Sequence, residues 1–246
     1  MLENARIAVI VPAFDEERLI VRTLRGIPDY VDAIYVVDDA SRDETAKAAQ
    51  SLGDPRVRVI VHETNRGVGA AIATGYRKAK AEGADVMAVM AGDAQMHPDD
   101  LTPLLMPVVR GEVDYAKGNR MAHPSVQTTM PRARYVVGRW LSRLTRWAAG
   151  LSSLDDSQCG YTAISARALD AIDLDELWPR FGYPNDLIGK LAIAGQRIRD
   201  VVVRPVYADE KSGIRPWHVL VILWLIGRIA LARVKARLGS HQEGFV

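Results

Sequence analysis

Apolar residues come in short unbroken runs along this chain, each stopped by a turn residue or a cluster of acids and followed by a stretch with helical spacing. Residues 7–11 (Ile-Ala-Val-Ile-Val) form the first run, halted by Pro12, and Glu16 with Glu17 opens a predicted helix over 16–26. Residues 33–37 form the second. It ends in Asp38-Asp39-Ala40-Ser41-Arg42-Asp43, where Ser41 or Asp43 is placed to cap a helix reaching Gln50. Residues 57–61 are a third run, followed by His62 to Gly67 and a helix to about Ala81. The fourth, residues 86–91 (Val-Met-Ala-Val-Met-Ala), breaks at Gly92. Runs that are apolar on both faces of the pleat belong in a sheet covered on both sides. Four of them alternating with three helices predict a right-handed, mostly parallel α/β sheet with its site along the carboxyl edge of the strands.

The fourth run delivers Asp93 and Gln95 to that edge, just before a Pro98-led helix start. A hard divalent cation takes oxygen ligands and needs only one or two from the protein when substrate phosphates supply the rest. A metal-bridged diphosphate is therefore the functional reading of this stretch. The plain alternative is that Asp93 ends the strand and Asp99 with Asp100 caps a helix. Glycines 67 and 69 invite comparison with a dinucleotide-binding loop, but residues 62–66 separate them from the strand and no second acid is free at the required distance.

Past the sheet's first half, residues 113–120 read as a strand and turn ending in Arg120, and residues 121–130 as a polar, mobile connection. Residues 132–150 have helical period, with Val136, Val137, Trp140, Leu141, Leu144 and Trp147 as the expected apolar side and Arg139, Arg143 and Arg146 on the other. Asn185-Asp186 reads either as a cap for a helix over 187–194 or as an acid at an acceptor site. The last segment changes character. Eight apolar residues, 219–226, are followed by Arg228, Arg233, Lys235 and Arg237. That run is too short to span a bilayer, which needs about 20 residues, and suits an interfacial helix on anionic lipid or a buried terminal helix.

Composition narrows this picture only slightly. With 246 residues, 48% of them apolar, one core is enough, and the single Cys159 leaves no intramolecular disulfide and no cysteine metal cluster. The net charge of +2 decides little by itself; no nucleic-acid partner is expected, and the first residues lack the pattern of a secretory leader, so none is expected either.

Four motifs in order, Val9-Ile10-Val11-Pro12-Ala13-Phe14-Asp15-Glu16-Glu17, Val36-Val37-Asp38-Asp39-Ala40-Ser41-Arg42-Asp43, Asn65-Arg66-Gly67-Val68-Gly69 and Gly92-Asp93-Ala94-Gln95, resemble the signatures of inverting family 2 glycosyltransferases with the GT-A fold. The branch most similar contains the dolichyl-phosphate mannose synthases and related polyprenyl glycosyltransferases. The likeness continues through Gly118-Asn119-Arg120, residues 156–161, Asn185-Asp186-Leu187 and Lys211-Ser212-Gly213.

This resemblance implies a GT-A domain over residues 1–213, with a nucleotide-sugar half (1–115) and an acceptor half (116–213), and a membrane-associating helix and tail over 214–246. It implies a nucleotide pocket of Pro12, Ala13, Phe14, Asp15, Glu16, Asp38, Asp39, Arg66, Gly67, Gly92, Asp93 and Ala94, and Mg²⁺ or Mn²⁺ on Asp93 and Gln95. Phosphate or acceptor contacts fall to Arg120, Arg132, Asp156, Lys211 and Ser212, with Asp186 as general base if the acceptor is a hydroxyl. The implied reaction moves a hexose, with GDP-mannose the favoured donor and UDP-glucose next, onto a polyprenyl-linked acceptor at the cytoplasmic face of a membrane. One position departs from the family. The usual Asp-x-Asp has its first carboxylate where this chain has Ala91. A catalytically silent nucleotide-sugar binder and a nucleotidyltransferase of the same fold stay open.

Overall fold

A computed structural model describes residues 2–207 and 216–242. Seven strands form one sheet: β1 (Ile7–Ala13), β2 (Ala33–Asp38), β3 (Val57–Val61), β4 (Val86–Val89), β5 (Tyr115–Asn119), β6 (Thr162–Ser165) and β7 (Ile198–Val202). Their order is β3-β2-β1-β4-β6-β5-β7. All neighbours are parallel except at β6, which runs against both β4 and β5. Two reversals restore direction, so β5 and β7 end at the same edge as β1 to β4, and the segment entering β6 lies there too.

Alternate residues of the central strands feed two cores. Ile7, Val9 and Val11 of β1 pack with Ile34, Val36 and Ala88 beneath α1 (Ile20–Gly26), α2 (Thr45–Ser51) and α4 (Leu101–Val109). Ala8 and Ile10 point the other way, with Tyr35, Met87 and Val89, toward α3 (Val68–Ala81), α6 (Arg132–Ala149), α8 (Tyr183–Ile193) and α9 (Pro216–Gln242). Burial on both faces is why these strands read as continuous apolar runs.

The first helix starts at Ile20, not 16. Asp15 turns the backbone left-handed (φ 56°), and the Glu16 and Glu17 amides donate to Thr45 and Asp43, so these residues join two loops instead of opening a helix. The connection expected to be mobile is folded. It carries α5 (Val126–Thr129), and Met121, Val126 and Met130 pack as a small cluster against Tyr135 and Tyr207. Glycines 67 and 69 are explained by packing: a Cβ on either would collide with the carbonyls of Pro179 or Trp178, where the loop after α7 (Ala166–Asp170) crosses the start of α3. Gly67 also has φ 98°.

The largest correction concerns α6. Its buried stripe is Gly138, Leu141, Ser142, Thr145, Ala148 and Ala149, whereas Val136, Val137, Trp140 and Trp147 face outward, Trp147 at 70% exposure. Small residues line the buried side because α8 and α9 approach closely there. On α9, Ile222, Leu225, Ile226 and Ile229 are buried against the body, while Trp217, Leu220, Trp224, Leu231 and Val234 remain exposed. No described helix is long and apolar enough to cross a membrane.

Candidate active site

The ends of β1, β2 and β3 meet in a bonded rim. Asp39 is its hub. Its carboxylate accepts from the Arg66 amide (2.9 Å), the Gly67 amide (2.6 Å) and His62 Nδ1 (2.8 Å), while His62 Nε2 lies 3.0 Å from Thr74. Asp39 is thereby committed to tying β2 to the start of α3. Asp38 is different: one oxygen accepts from the Ser41 amide and hydroxyl, and the other makes no hydrogen bond with the described residues. Of the two acids, Asp38 is the one with a carboxylate oxygen to spare. Around it, Pro12 and Ala13 are buried while Phe14 and Asp15 are exposed, and Asp15 is fixed by Ser41 Oγ at its amide and by the Arg42 amide at its carboxylate. The Arg66 side chain is exposed.

The turn after β4 is held from α1. Thr23 Oγ1 donates to the Gly92 carbonyl (3.0 Å) and accepts from the Ala94 amide (3.1 Å), and Asp93 accepts from the Gln95 amide (3.1 Å). Thr23 was not legible as a site residue, since nothing in its helix marks it. Ala94 and Ala40 both have positive φ, 55° and 60°, as has Asp15. Three non-glycine residues in this sparsely populated region, all at strand ends, mark a rim whose shape is imposed by its surroundings. Asp93 and Gln95 are half-buried, and their donors, a carboxylate and an amide, are all oxygen. Among the described residues no group of three or more His, Cys, Asp or Glu could hold a metal unaided. Such a pair fits Mg²⁺ or Mn²⁺ that completes its shell from a diphosphate and water.

At the end of β5 the Arg120 guanidinium and Asp156 form a two-pronged pair, Nε to Oδ2 at 2.8 Å and Nη2 to Oδ1 at 3.0 Å, with the Arg120 amide also on Oδ2. Asp156 is fully buried. It therefore holds Arg120 and does not itself reach an acceptor, as had been expected of it. Burial would raise its pKa, but Arg120 outweighs that and holds the carboxyl below the ordinary range. Sequence reading also missed Lys117, which is fully buried and donates to the Cys159 carbonyl, and Asp200 beside it on β7.

Burial pushes the Asp200 carboxyl up to about 6 from an ordinary 3.8. A folded state that binds this proton more tightly than the unfolded chain loses stability as pH rises from about 4 to about 6, by roughly 1–3 kcal/mol. Urea titrations at pH 4.5 and 7 should show that loss, and Asp200→Asn should flatten it.

Asp186 is 4% exposed, and its Oδ2 accepts from the Trp178 amide (2.9 Å), anchoring the loop that crosses α3. Helix α8 begins at Tyr183, so Asn185-Asp186 is not its cap. Asn185 instead joins a buried network, donating to Thr145 (2.7 Å) and accepting from Gln158 (2.9 Å). Arg132 opens α6 and is exposed, and Lys211 and Ser212 lie outside the described residues.

Residues 8–172 match the model of the glycosyl transferase family 2. The chain is a family 2 glycosyltransferase. Its relatives include a UDP-N-acetylglucosamine–dolichyl-phosphate N-acetylglucosaminyltransferase of Methanococcus voltae, 32% identical over 93% of this chain and 96% of that protein. An undecaprenyl-phosphate mannosyltransferase of Micrococcus luteus is 32% identical over 80% of this chain and 82% of its own length. Among solved structures, glucosyl-3-phosphoglycerate synthase of M. tuberculosis superposes with a TM-score of 0.68 at 21% identity, covering 92% of this chain and 81% of that one. This family 2 glycosyltransferase thus has the GT-A fold, and its matched region contains the rim, the Asp93 turn, Arg120 and Asp156.

Proposed function

We propose that this glycosyltransferase moves a sugar from a nucleoside diphosphate onto a polyprenyl phosphate, with inversion, at a membrane surface. The observation that carries the acceptor assignment is the Arg120–Asp156 pair. One edge of the guanidinium is fixed by the buried carboxylate, and its remaining N–H groups are left for an anion at the same sheet edge as Asp93. A phosphate monoester is already anionic near neutral pH and needs no base. The burial of Asp186 and its bond to Trp178 weigh against the alternative, a hydroxyl acceptor deprotonated by Asp186. The names of the archaeal and bacterial relatives support the same acceptor class.

In this reading residues 1–115 hold the donor, with Asp38 toward the base and the 12–16 segment around the nucleoside, and residues 116–213 hold the acceptor. Arg120 directs a phosphate oxygen at the anomeric carbon. The new carbon–oxygen bond forms on the face opposite the departing diphosphate as the donor's glycosidic bond breaks. A divalent cation on Asp93 and Gln95 would neutralise the leaving diphosphate. The mycobacterial synthase has been crystallised with Mn²⁺ and UDP, which supports that choice of cation.

Helices α6 and α9 carry nine Arg and Lys residues and no acid, and their exposed faces carry Trp140, Trp147, Trp217 and Trp224. Apolar rings beside cationic side chains suit the headgroup layer of an anionic bilayer, and the two helices share them about equally.

The test is transfer of radiolabel into the organic phase from GDP-mannose, UDP-N-acetylglucosamine or UDP-glucose, with Mn²⁺ and a short polyprenyl phosphate on anionic vesicles. Metal-dependent label from one donor is expected. GDP-mannose keeps its place through the family likeness, and UDP-N-acetylglucosamine enters through the archaeal relative. No label from any of the three would overturn the polyprenyl phosphate reading.

A further inference from the structure

Four ionisable groups gather where β5, β7 and the segment before β6 meet, Lys117 and Asp156 fully buried and Arg120 and Asp200 partly so, and Arg120 with Asp156 accounts for only two of them. The others are Lys117 and Asp200, directly opposite each other in the parallel β5–β7 register. Asp200 Oδ2 accepts from the Asp155 amide at 2.6 Å and from Asn119 Nδ2 at 3.3 Å. Asp155 and Asn119 are the residues immediately before Asp156 and Arg120. One carboxylate oxygen therefore spans the two backbone segments that carry the two halves of the phosphate-facing pair.

We propose that Asp200 is a positioning residue that sets the Arg120–Asp156 pair in its acceptor-binding geometry by bracing Asn119 and the Asp155 amide. The inference rests on the polyprenyl phosphate reading and adds to it the residue that tunes acceptor affinity from behind the site. Three observations support it. The brace is direct on both sides, and apart from the bonds of the Arg120–Asp156 pair itself no other side-chain hydrogen bond among the described residues links the two segments. Asn119 continues the bracing through its other atom, its Oδ1 accepting from the Ala122 amide at 3.2 Å and so fixing the turn that Arg120 begins. And Asp200 is kept in a poor environment: its Oδ1 is buried with no hydrogen-bond partner among the described residues, and its ionised form is favoured chiefly by the amide of Asp155 and the charge of Lys117. A buried acceptor left unpaired is unfavourable, so a carboxylate retained here has a use that an apolar residue would not serve.

Because Arg120 meets the acceptor and the 12–16 and 91–96 segments meet the donor, loosening the brace should move one affinity and not the other. The experiment titrates farnesyl phosphate, and separately GDP and UDP with Mn²⁺, into the wild-type chain and into Asp200→Ala, Asp200→Asn and Asn119→Ala. The Ala variant is expected to bind farnesyl phosphate about tenfold more weakly, with nucleotide affinity changed less than about twofold. Asp200→Asn keeps an oxygen for the Asp155 amide and should recover most of that loss. Asn119→Ala cuts the second arm without removing a charge and should weaken the prenyl phosphate about threefold, which keeps the test decisive where the Ala variant does not fold. Farnesyl phosphate binding unchanged in folded Asp200→Ala or in Asn119→Ala, or equal loss of both ligands, would overturn the brace while leaving the acceptor class standing. No farnesyl phosphate binding by the wild-type chain would overturn the acceptor class, and the brace with it.

Discussion

Asp93→Asn is expected to lower the rate of sugar transfer at least about a hundredfold, while the melting temperature stays within a few degrees of the parent. The amide keeps an oxygen for the Gln95 amide, so the turn held by Thr23 should persist. What disappears is the negative charge that, in the proposed mechanism, draws a divalent cation to the leaving diphosphate. Removing one preorganised electrostatic contact of this kind typically lowers kcat by about 10²–10³. With Ala91 in place of the usual first acid, no neighbouring carboxylate takes over, so the loss should fall at the upper end. Initial rates across a Mn²⁺ series check it: a variant rescued to parental rate by more metal would show that Asp93 governs affinity alone, and one as fast as the parent throughout would remove it from the reaction.

The second large effect is at the other half of the site. Arg120→Met should destabilise the fold by roughly 3–5 kcal/mol, because fully buried Asp156 is left charged without its partner. Acceptor binding should vanish with it. Arg120→Lys keeps a charge but cannot reproduce the two-pronged geometry, and should fall between. Replacing both partners, Arg120→Met with Asp156→Leu, should recover much of the stability without recovering acceptor binding. Urea unfolding of the four chains, with prenyl phosphate titrations of each, separates the two roles. A stable, acceptor-binding Arg120→Met chain would refute both.

The first four strands were legible as apolar runs and the acids at their ends because the motifs recur together, whereas β6 and β7, short and partly polar, were not read from the sequence. Individual roles were less so. Asp38 and Asp39 are adjacent and chemically identical, yet three donors from the loop between β3 and α3 commit Asp39 to the scaffold, a fact set by contacts 23 to 28 residues away. Asp156 read as an acid available to a ligand, and only packing shows it enclosed by Arg120. Lys117 and Asp200 lie 83 residues apart and meet through strand pairing that no local pattern reports. On α6 the assumption that apolar means buried held for Leu141 and Leu144 but failed for Val136, Val137, Trp140 and Trp147. Its inward stripe is small and partly hydroxylic, because Ser142 and Thr145 bond within a polar network and α9 lies close.

The last helix has a practical consequence. A segment with isoleucines and a leucine locked into the body on one side bares tryptophans and leucines on the other, among Arg228, Lys235 and Arg237, and so presents a mixed apolar and cationic surface to water. In dilute buffer without lipid, copies of the protein should cover these surfaces against one another, giving concentration-dependent, polydisperse particles that detergent or lipid nanodiscs disperse. Trimming the helix to improve handling would work against its purpose. It would bare the partners of Ile222, Leu225, Ile226 and Ile229 on α6 and α8, trading one sticky surface for another and loosening the shell around those two helices.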